Sequence, residues 1–476
     1  MIAKPSNNVD EIRHAANEIA GRINGDGAAR FNMTDAGNGA RFTNEWRHKV
    51  RFDASCQRWR AFDVKRWRLD EVDAVTNLAK QTARSMLTEA TSTASTNREL
   101  ANWALKSESR DRLAAMISLA KSESDMTATA DQWDSDPWAF NCDNGTIDLR
   151  TGKLRAHNPD DLLTHYSPVP FDPDADAVTF RNFLAQTFNN DDTLIDYVMR
   201  FHGYALCAVR DEHLLPVYHG TGANGKSTLL DTFGYVMGTY FDQAAPDLLT
   251  DRKGGDEHPT ATADLRGKRL VVCSETEKNR RLRTETMKRL TGDARIKSRF
   301  MRCDYFTFDR TFALIMVTNN RPKVDEDSEA VWRRLREVPF AVTVPVEKRD
   351  PHLVEKLKAE APGILRLLVE NCLAWQAHGL GEAEAVIRAT AGYREDSDPL
   401  ADFLNECCIL APNAWAASET LRRSYEKFCG ERGERPLAGR DFTEALKRRG
   451  CVTRRKFAGR GWDGIGLLTE AAMTEP

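Results

Sequence analysis

Eight consecutive residues carry the most specific chemistry in the chain. Gly220, Thr221, Gly222, Ala223, Asn224, Gly225, Lys226 and Ser227 match G-x-x-x-x-G-K-[ST]. Glycines let backbone N–H groups converge on phosphate oxygens, and a helix opening at the lysine adds its positive end. In this pattern Lys226 reaches the β- and γ-phosphates of ATP, and the Ser227 hydroxyl binds Mg²⁺. Thr228 completes the nucleotide-binding run. Gly220, Gly222 and Gly225 also satisfy G-x-G-x-x-G. A dinucleotide fold, however, needs a second strand ending in an acid about 20 residues on. Asp242 lies near that distance but follows Gly-Thr-Tyr-Phe, with no clear strand. Lys-Ser after the last glycine decides for a nucleoside triphosphate.

Hydrolysis needs an acid that helps hold the metal or activates water. The apolar run RLVVCSE (269–275) ends at Glu275, which is the candidate for both tasks. Ser274 stands before it, where many such sites carry a second acid. A third apolar run, FALIMVTN (312–319), ends at Asn319. A strand-end asparagine can orient the attacking water, although Asn-Asn-Arg-Pro is also good turn chemistry.

These residues need strands to hold them. LLPVYHG (214–220) reads as a strand feeding the glycine loop, and Ser227–Val236 as the helix after it. With RLVVCSE and FALIMVTN this is an α/β pattern from about residue 180. A helix is expected around 353–376, and GLGEAEAVIRATAGYREDSDP (379–399) reads as a connector. Upstream, WRAFDVKRWRLD (59–70) alternates like strands joined at Asp63–Lys65. A helical stretch follows near 75–122. FNCDNGTIDLRTGKL (140–154) reads as hairpins turning at Asn144-Gly145 and Thr151-Gly152. Trp59, Trp67, Trp133 and Trp138 have strand spacing and read as core. PFDPDADA (170–177) reads as a joint. Downstream, short helices precede the basic RGCVTRRKFAGRGWDGIGLL (449–468), as in a winged-helix module. Three regions result: an N-terminal α+β region (1–175), an α/β motor core (176–378) and a winged-helix-like module (395–472).

Composition excludes several classes. The chain has 476 residues, 68 Lys+Arg against 71 Asp+Glu, and ten cysteines with no CxxC pair. A disulfide framework or zinc ribbon is not expected, and reduced thiols fit a cytoplasm. No apolar run approaches the roughly 18 residues of a membrane span. The N-terminus lacks the apolar segment of a signal peptide. With a formal charge of −3, nucleic acid would have to be gripped by local patches. Two such patches exist. Residues 278–302 hold ten Lys/Arg and two acids, and 422–460 hold thirteen Lys/Arg and five acids. The first ends in DARIKSRFMRCDYFTF, which alternates as a β-hairpin.

The order GTGANGKST, LRGKRLVVCSE, MKRLTGDARIKSR, LIMVTNNRP and VWRRLREVPF resembles the superfamily 3 helicases of the phage/plasmid primase–helicase family, which includes the poxvirus primase–helicase. TDAGNGARF (34–42), WRAFDVKRWRLDE (59–71) and FNCDNGTIDLRTG (140–152) are similar to that family's pre-motor region. FLNECC through KRRG (403–450) resembles its C-terminal module. The resemblance implies an AAA+-like ATPase ring, a homo-hexamer with ATP between subunits and single-stranded DNA in the pore. It implies ATP and Mg²⁺ as cofactors, with Lys226, Glu275 and Asn319 catalytic and Ser227 and Glu275 at the metal. Arg333 and Arg334 match the arginine-finger position, and either could be the finger. The hairpin would line the pore, with Lys297, Arg299 and Arg302 gripping phosphates.

The expected activity is ATP-dependent unwinding of forked or single-stranded DNA in replication of a phage, prophage or plasmid, in a bacterial cytoplasm. No primase domain is evident, and a separate primase or other replication proteins could act with the chain. An ATP-assembled, origin-binding initiator without processive unwinding is the alternative.

Overall fold

The computed structural model describes residues 31–92, 97–251, 260–275, 280–299, 304–324, 328–398, 400–432, 436–456 and 459–468. The chain divides into two compact units, Met1–Asp136 with His157–His165, and Pro137–Ala156 with Tyr166–Pro476.

The first unit opens with α1 (Asp35–Trp46), whose N-terminus is capped by Thr34 Oγ1 accepting from Gly37 N–H at 3.0 Å. Strands β1 (Val50–Asp53), β2 (Arg58–Phe62) and β3 (Trp67–Leu69) follow. The turn expected at Asp63–Lys65 joins β2 to β3. The helical stretch near 75–122 is three helices, α2 (Ala74–Ser92), α3 (Arg98–Ser107) and α4 (Arg110–Ala120). Asn97 restarts the chain as α3 by accepting from Leu100 N–H at 3.1 Å. Strand β4 (Thr127–Ala128) completes the sheet β3-β2-β1-β4. Phe42, Val75, Met86, Leu100 and Met116 form the core between helices and sheet. Trp67 and Trp133 are buried edge to face, 5.8 Å apart, as core residues.

The second unit begins with β5 (Ala139–Cys142), β6 (Gly145–Asp148) and β7 (Lys153–Arg155), an antiparallel sheet. Its first loop is Asp143-Asn144, one residue earlier than expected, because Gly145 already pairs with Cys142. Helices α5 (Val178–Thr187) and α6 (Asp192–Leu206) lead to β8 (Leu215–His219), α7 (Lys226–Met237) and β9 (Phe241–Ala244). Asp242 therefore does lie on a strand, an edge strand too short to read from the sequence. Then come β10 (Leu270–Glu275), α8 (Thr284–Gly292), β11 (Arg295–Ser298), β12 (Phe306–Asp309), β13 (Ala313–Thr318), α9 (Glu329–Trp332) and β14 (Leu335–Pro339).

Strands β14-β8-β13-β10-β9 form one parallel sheet in that order. Both faces are covered, as parallel sheets require. Leu270, Val272 and Ile315 pack with Leu229 and Phe233 of α7, whereas Val271, Cys273, Leu314 and Met316 pack with Met287 and Leu290 of α8. The fold class is thus mixed α/β around a parallel sheet.

The helix expected around 353–376 is two, α10 (Leu353–Ala359) and α11 (Ala361–His378). Glu360 stands at the break, and its carboxylate accepts from Thr179 and Phe180 N–H at 2.9 and 3.0 Å, capping α5. The expected connector 379–399 is mostly a helix, α12 (Glu384–Asp396). Buried Val386 and Tyr393 lie seven residues apart on one face, a spacing masked by the glycines around them. Last come α13 (Ala401–Cys407), β15 (Cys408–Ala417), α14 (Ser418–Glu431), α15 (Gly439–Arg448), β16 (Val452–Lys456) and β17 (Gly459–Leu467). The antiparallel sheet β15-β17-β16 and these helices share their own core, including Phe403, Leu421, Tyr425 and Trp462.

Candidate nucleotide site

The glycine loop joins the end of β8 to the start of α7. Gly222 and Gly225 have φ of +110° and +85°, conformations that favour glycine, and Ala223 shares a positive φ of 51°. Gly220 is glycine for space: a Cβ there would lie 2.1 Å from Asn224 Nδ2 and 2.5 Å from the Phe340 carbonyl oxygen. Asn224 is 3% exposed and braces the loop. Its Nδ2 donates to Phe340 O at 3.1 Å, and its Oδ1 accepts from Lys226 Nζ at 2.9 Å. Lys226 Nζ also donates to Gly220 O at 2.8 Å. Burial lowers the Lys226 pKa, and an anionic ligand nearby would favour its charged form. Thr221 and Ser227 are exposed, and Thr228 is half-buried in the first turn of α7. The first N–H groups of that turn have no partner within the helix.

Three strand ends meet beside this loop. Glu275, the last residue of β10, pairs in register with Thr318 of β13, and Thr318 with His219 of β8. Gly220, Asn319 and Glu275 therefore stand at the carboxyl ends of three adjacent parallel strands, where open α/β sheets bind ligands. Asn319 is exposed, and the Asn320 N–H donates to Thr318 Oγ1 at 3.0 Å, fixing the turn around it. By residue type, Ser227 and Glu275 carry hard oxygen donors, the kind that suit Mg²⁺.

Comparison with known proteins adds the family. A D5 N terminal like domain matches residues 39–189. A family of unknown function, DUF5906, matches residues 218–334, which include the whole glycine loop, Glu275 and Asn319. "Putative helicase L207/L206" of Acanthamoeba polyphaga mimivirus is 26% identical over 301 residues, covering 59% of this chain and 31% of that protein. "Putative primase C962R" of African swine fever virus is 24% identical, covering 59% and 32%. "Putative helicase 022R" of Frog virus 3 is 22% identical, covering 68% and 40%. The chain is thus similar to D5-like proteins over residues 39–189, and to viral proteins that carry helicase or primase names. It spans about a third of the length of the curated relatives it matches. The solved NrS-1 C terminal region aligns with a TM-score of 0.48 at 11% identity, over 88% of this chain and 96% of that one.

The two candidate finger arginines lie away from the carboxyl ends of the strands. They precede β14, whose first residue Leu335 pairs with Leu215, four residues before His219. At about 3.3 Å per residue the backbones are some ~13 Å apart along the sheet. The two arginines differ. Arg334 is 9% exposed, and its Nη1 donates to Ala330 O at 2.7 Å. Burial, and then the neighbouring Arg333, lower its pKa. Arg333 is exposed and opens onto a cleft of about 670 Å³ lined also by Trp332, Arg336, Val386 and Arg394.

Strands β11 and β12 form the expected basic hairpin, pairing Arg295 with Asp309 through Ser298 with Phe306. Lys297 is exposed and Arg299 half-buried; Arg302 lies outside the described residues. Sequence reasoning missed Tyr305, which is 53% exposed with Lys297 Nζ and Arg299 Cζ at 5.0 and 4.9 Å from its ring centre. It also missed Glu337, a carboxylate buried on β14. A lone acid in an apolar strand was the available signal, since such a group needs a partner.

Proposed function

We propose that this chain is an ATP-driven DNA motor of the superfamily 3 helicase kind, serving replication of a phage, prophage or plasmid. The observation that carries the reading is the convergence of the glycine loop, Asn319 and Glu275 at three neighbouring strand ends. In this reading the fold is an AAA+-like P-loop core followed by a winged-helix-like module. Backbone N–H groups of Gly222 to Ser227 and the Lys226 ammonium bind the ATP phosphates. Glu275 accepts the proton of the attacking water, and Asn319 holds that water in line. Ser227 and Glu275 would hold Mg²⁺, which would supply charge neutralisation at the phosphates. Phosphoryl transfer needs little more than such positioning and electrostatics.

Assembly as a homo-hexameric ring puts the finger on the neighbouring subunit. Separation of both arginines from the strand ends supports action in trans, and the exposure of Arg333 favours it over Arg334. Lys297 and Arg299 hold DNA phosphates in the pore. Helicase and primase names among relatives support a replicative role.

The test is the ATPase rate with and without single-stranded DNA, with strand separation of a forked duplex, for wild type and Glu275→Gln. DNA-stimulated turnover with unwinding, both lost in the variant, is expected. DNA-indifferent turnover without unwinding would favour the initiator reading. Exposed strand β16, with Arg454, Arg455 and Lys456, is the feature behind that alternative, and sequence-specific duplex binding by it would decide for it.

A further inference from the structure

Asn319 is exposed, yet the residues after it are tied down from three sides. Arg321 spans two carboxylates: its Nη2 donates to Glu337 Oε1 at 2.9 Å, and its Nη1 to Asp396 at the end of α12. The guanidinium also lies 5.6 Å from the centre of the Tyr393 ring. Tyr393 Oη in turn donates to Pro322 O at 2.6 Å. The same Glu337 Oε1 accepts from His219 Nδ1 at 2.9 Å. A carboxylate only accepts, so this ring nitrogen carries the proton. His219 immediately precedes Gly220, whose carbonyl receives Lys226. One carboxylate oxygen therefore joins the root of the glycine loop to the segment carrying Asn319.

Glu337 is 1% exposed. Well-packed apolar residues in place of such a buried ion pair are often as stable or more so. The cluster's effect is therefore better sought in geometry, because a forked guanidinium fixes direction as well as distance. We infer that Arg321, bridging Glu337 and Asp396, is a positioning residue that fixes Asn319 against the glycine loop for ATP hydrolysis. This rests on the ATPase reading above.

The experiment compares wild type, Asn319→Ala, Arg321→Met/Glu337→Gln and the triple combination. Changing Arg321 and Glu337 together avoids leaving a buried charge unpaired, so the fold survives. Thermal melting and binding of a fluorescent ATP analogue accompany steady-state kinetics. We expect kcat of the Arg321→Met/Glu337→Gln variant to fall about tenfold to a hundredfold, with nucleotide affinity within about twofold. In the triple variant kcat falls no further than in Asn319→Ala, because both changes remove one function. A folded Arg321→Met/Glu337→Gln variant with wild-type kcat overturns the inference. So do losses that multiply in the triple variant, as an independent structural role would give. Absence of ATP hydrolysis in the wild type would instead overturn the ATPase reading, and this inference with it.

Discussion

Replacing Gly220 by alanine should damage the site through lack of space alone. The added methyl would stand 2.1 Å from Asn224 Nδ2 and 2.5 Å from Phe340 O. Relief requires both to retreat by about 1 Å. Asn224 cannot do so freely, because it is held by Phe340 O at 3.1 Å and Lys226 Nζ at 2.9 Å. Overpacking costs about 1–3 kcal/mol. Losing the neutral bond adds about 1 kcal/mol and the charged one about 1.5–3. These overlap, since breaking the bonds relieves the clash, so about 3 kcal/mol is expected in all. That corresponds to a Tm lower by roughly 5–10 °C.

Gly222→Ala is the control. Nothing lies within 4 Å of a Cβ there, and only the φ of +110° penalises alanine. Backbone strain of this kind is worth about 1–2 kcal/mol. Thermal melting should therefore rank Gly220→Ala below Gly222→Ala, and both below wild type. Titration with a fluorescent ATP analogue should show affinity reduced about tenfold in Gly220→Ala, because Lys226 loses its Asn224 brace. A wild-type Tm for Gly220→Ala, or the reverse ranking, would refute the packing argument.

The other predictions concern acid stability, the arginines and the hairpin. His202 is fully buried against Phe233 and Tyr218, and burial lowers its pKa from 6.5 to about 3. The unfolded chain then takes up this proton first as pH falls. Its contribution is whole above pH 6.5 and declines by roughly 1.4 kcal/mol per pH unit below it, towards about pH 3. Denaturant midpoints between pH 7 and 5 should follow that slope, and His202→Leu should flatten it. Arg333→Ala should abolish turnover at unchanged Tm, with activity recovered on mixing with Lys226→Ala subunits, whereas Arg334→Ala should lower Tm by melting. Lys297→Ala should reduce the salt slope of single-stranded DNA binding by about one unit. Tyr305→Ala should weaken that binding by about 1–3 kcal/mol while leaving the slope nearly intact.

Strands buried on both faces write themselves as continuous apolar runs, which is why β8, β10 and β13 are legible in the sequence. Each ends in a polar residue at the sheet's edge, so the candidate site residues could be read with them. Elements whose burial is one-sided or whose partners are distant were harder. In α12 only Val386 and Tyr393 are buried, and Gly381 and Gly392 flank or interrupt the pattern. Strand β9 has four residues and an edge position, and among the described residues its one strand neighbour is β10. Neither periodicity nor turn chemistry marks such a strand.

Charge at a buried position is a different kind of signal. Glu337 lies between Arg336 and Val338 in a strand that buries Leu335 and Val338. Its presence predicts a partner, because an isolated carboxylate there would neutralise or unfold the strand. The partners' identity is not local, as His219 and Arg321 lie on two other strand ends. Only the parallel order β14-β8-β13 brings the three together. The same order aligns Gly220 with Asn319. A single topological fact thus assembles both the candidate site residues and the buried cluster behind them. Breaking the Arg321 bridge while leaving the sheet intact would separate these two consequences.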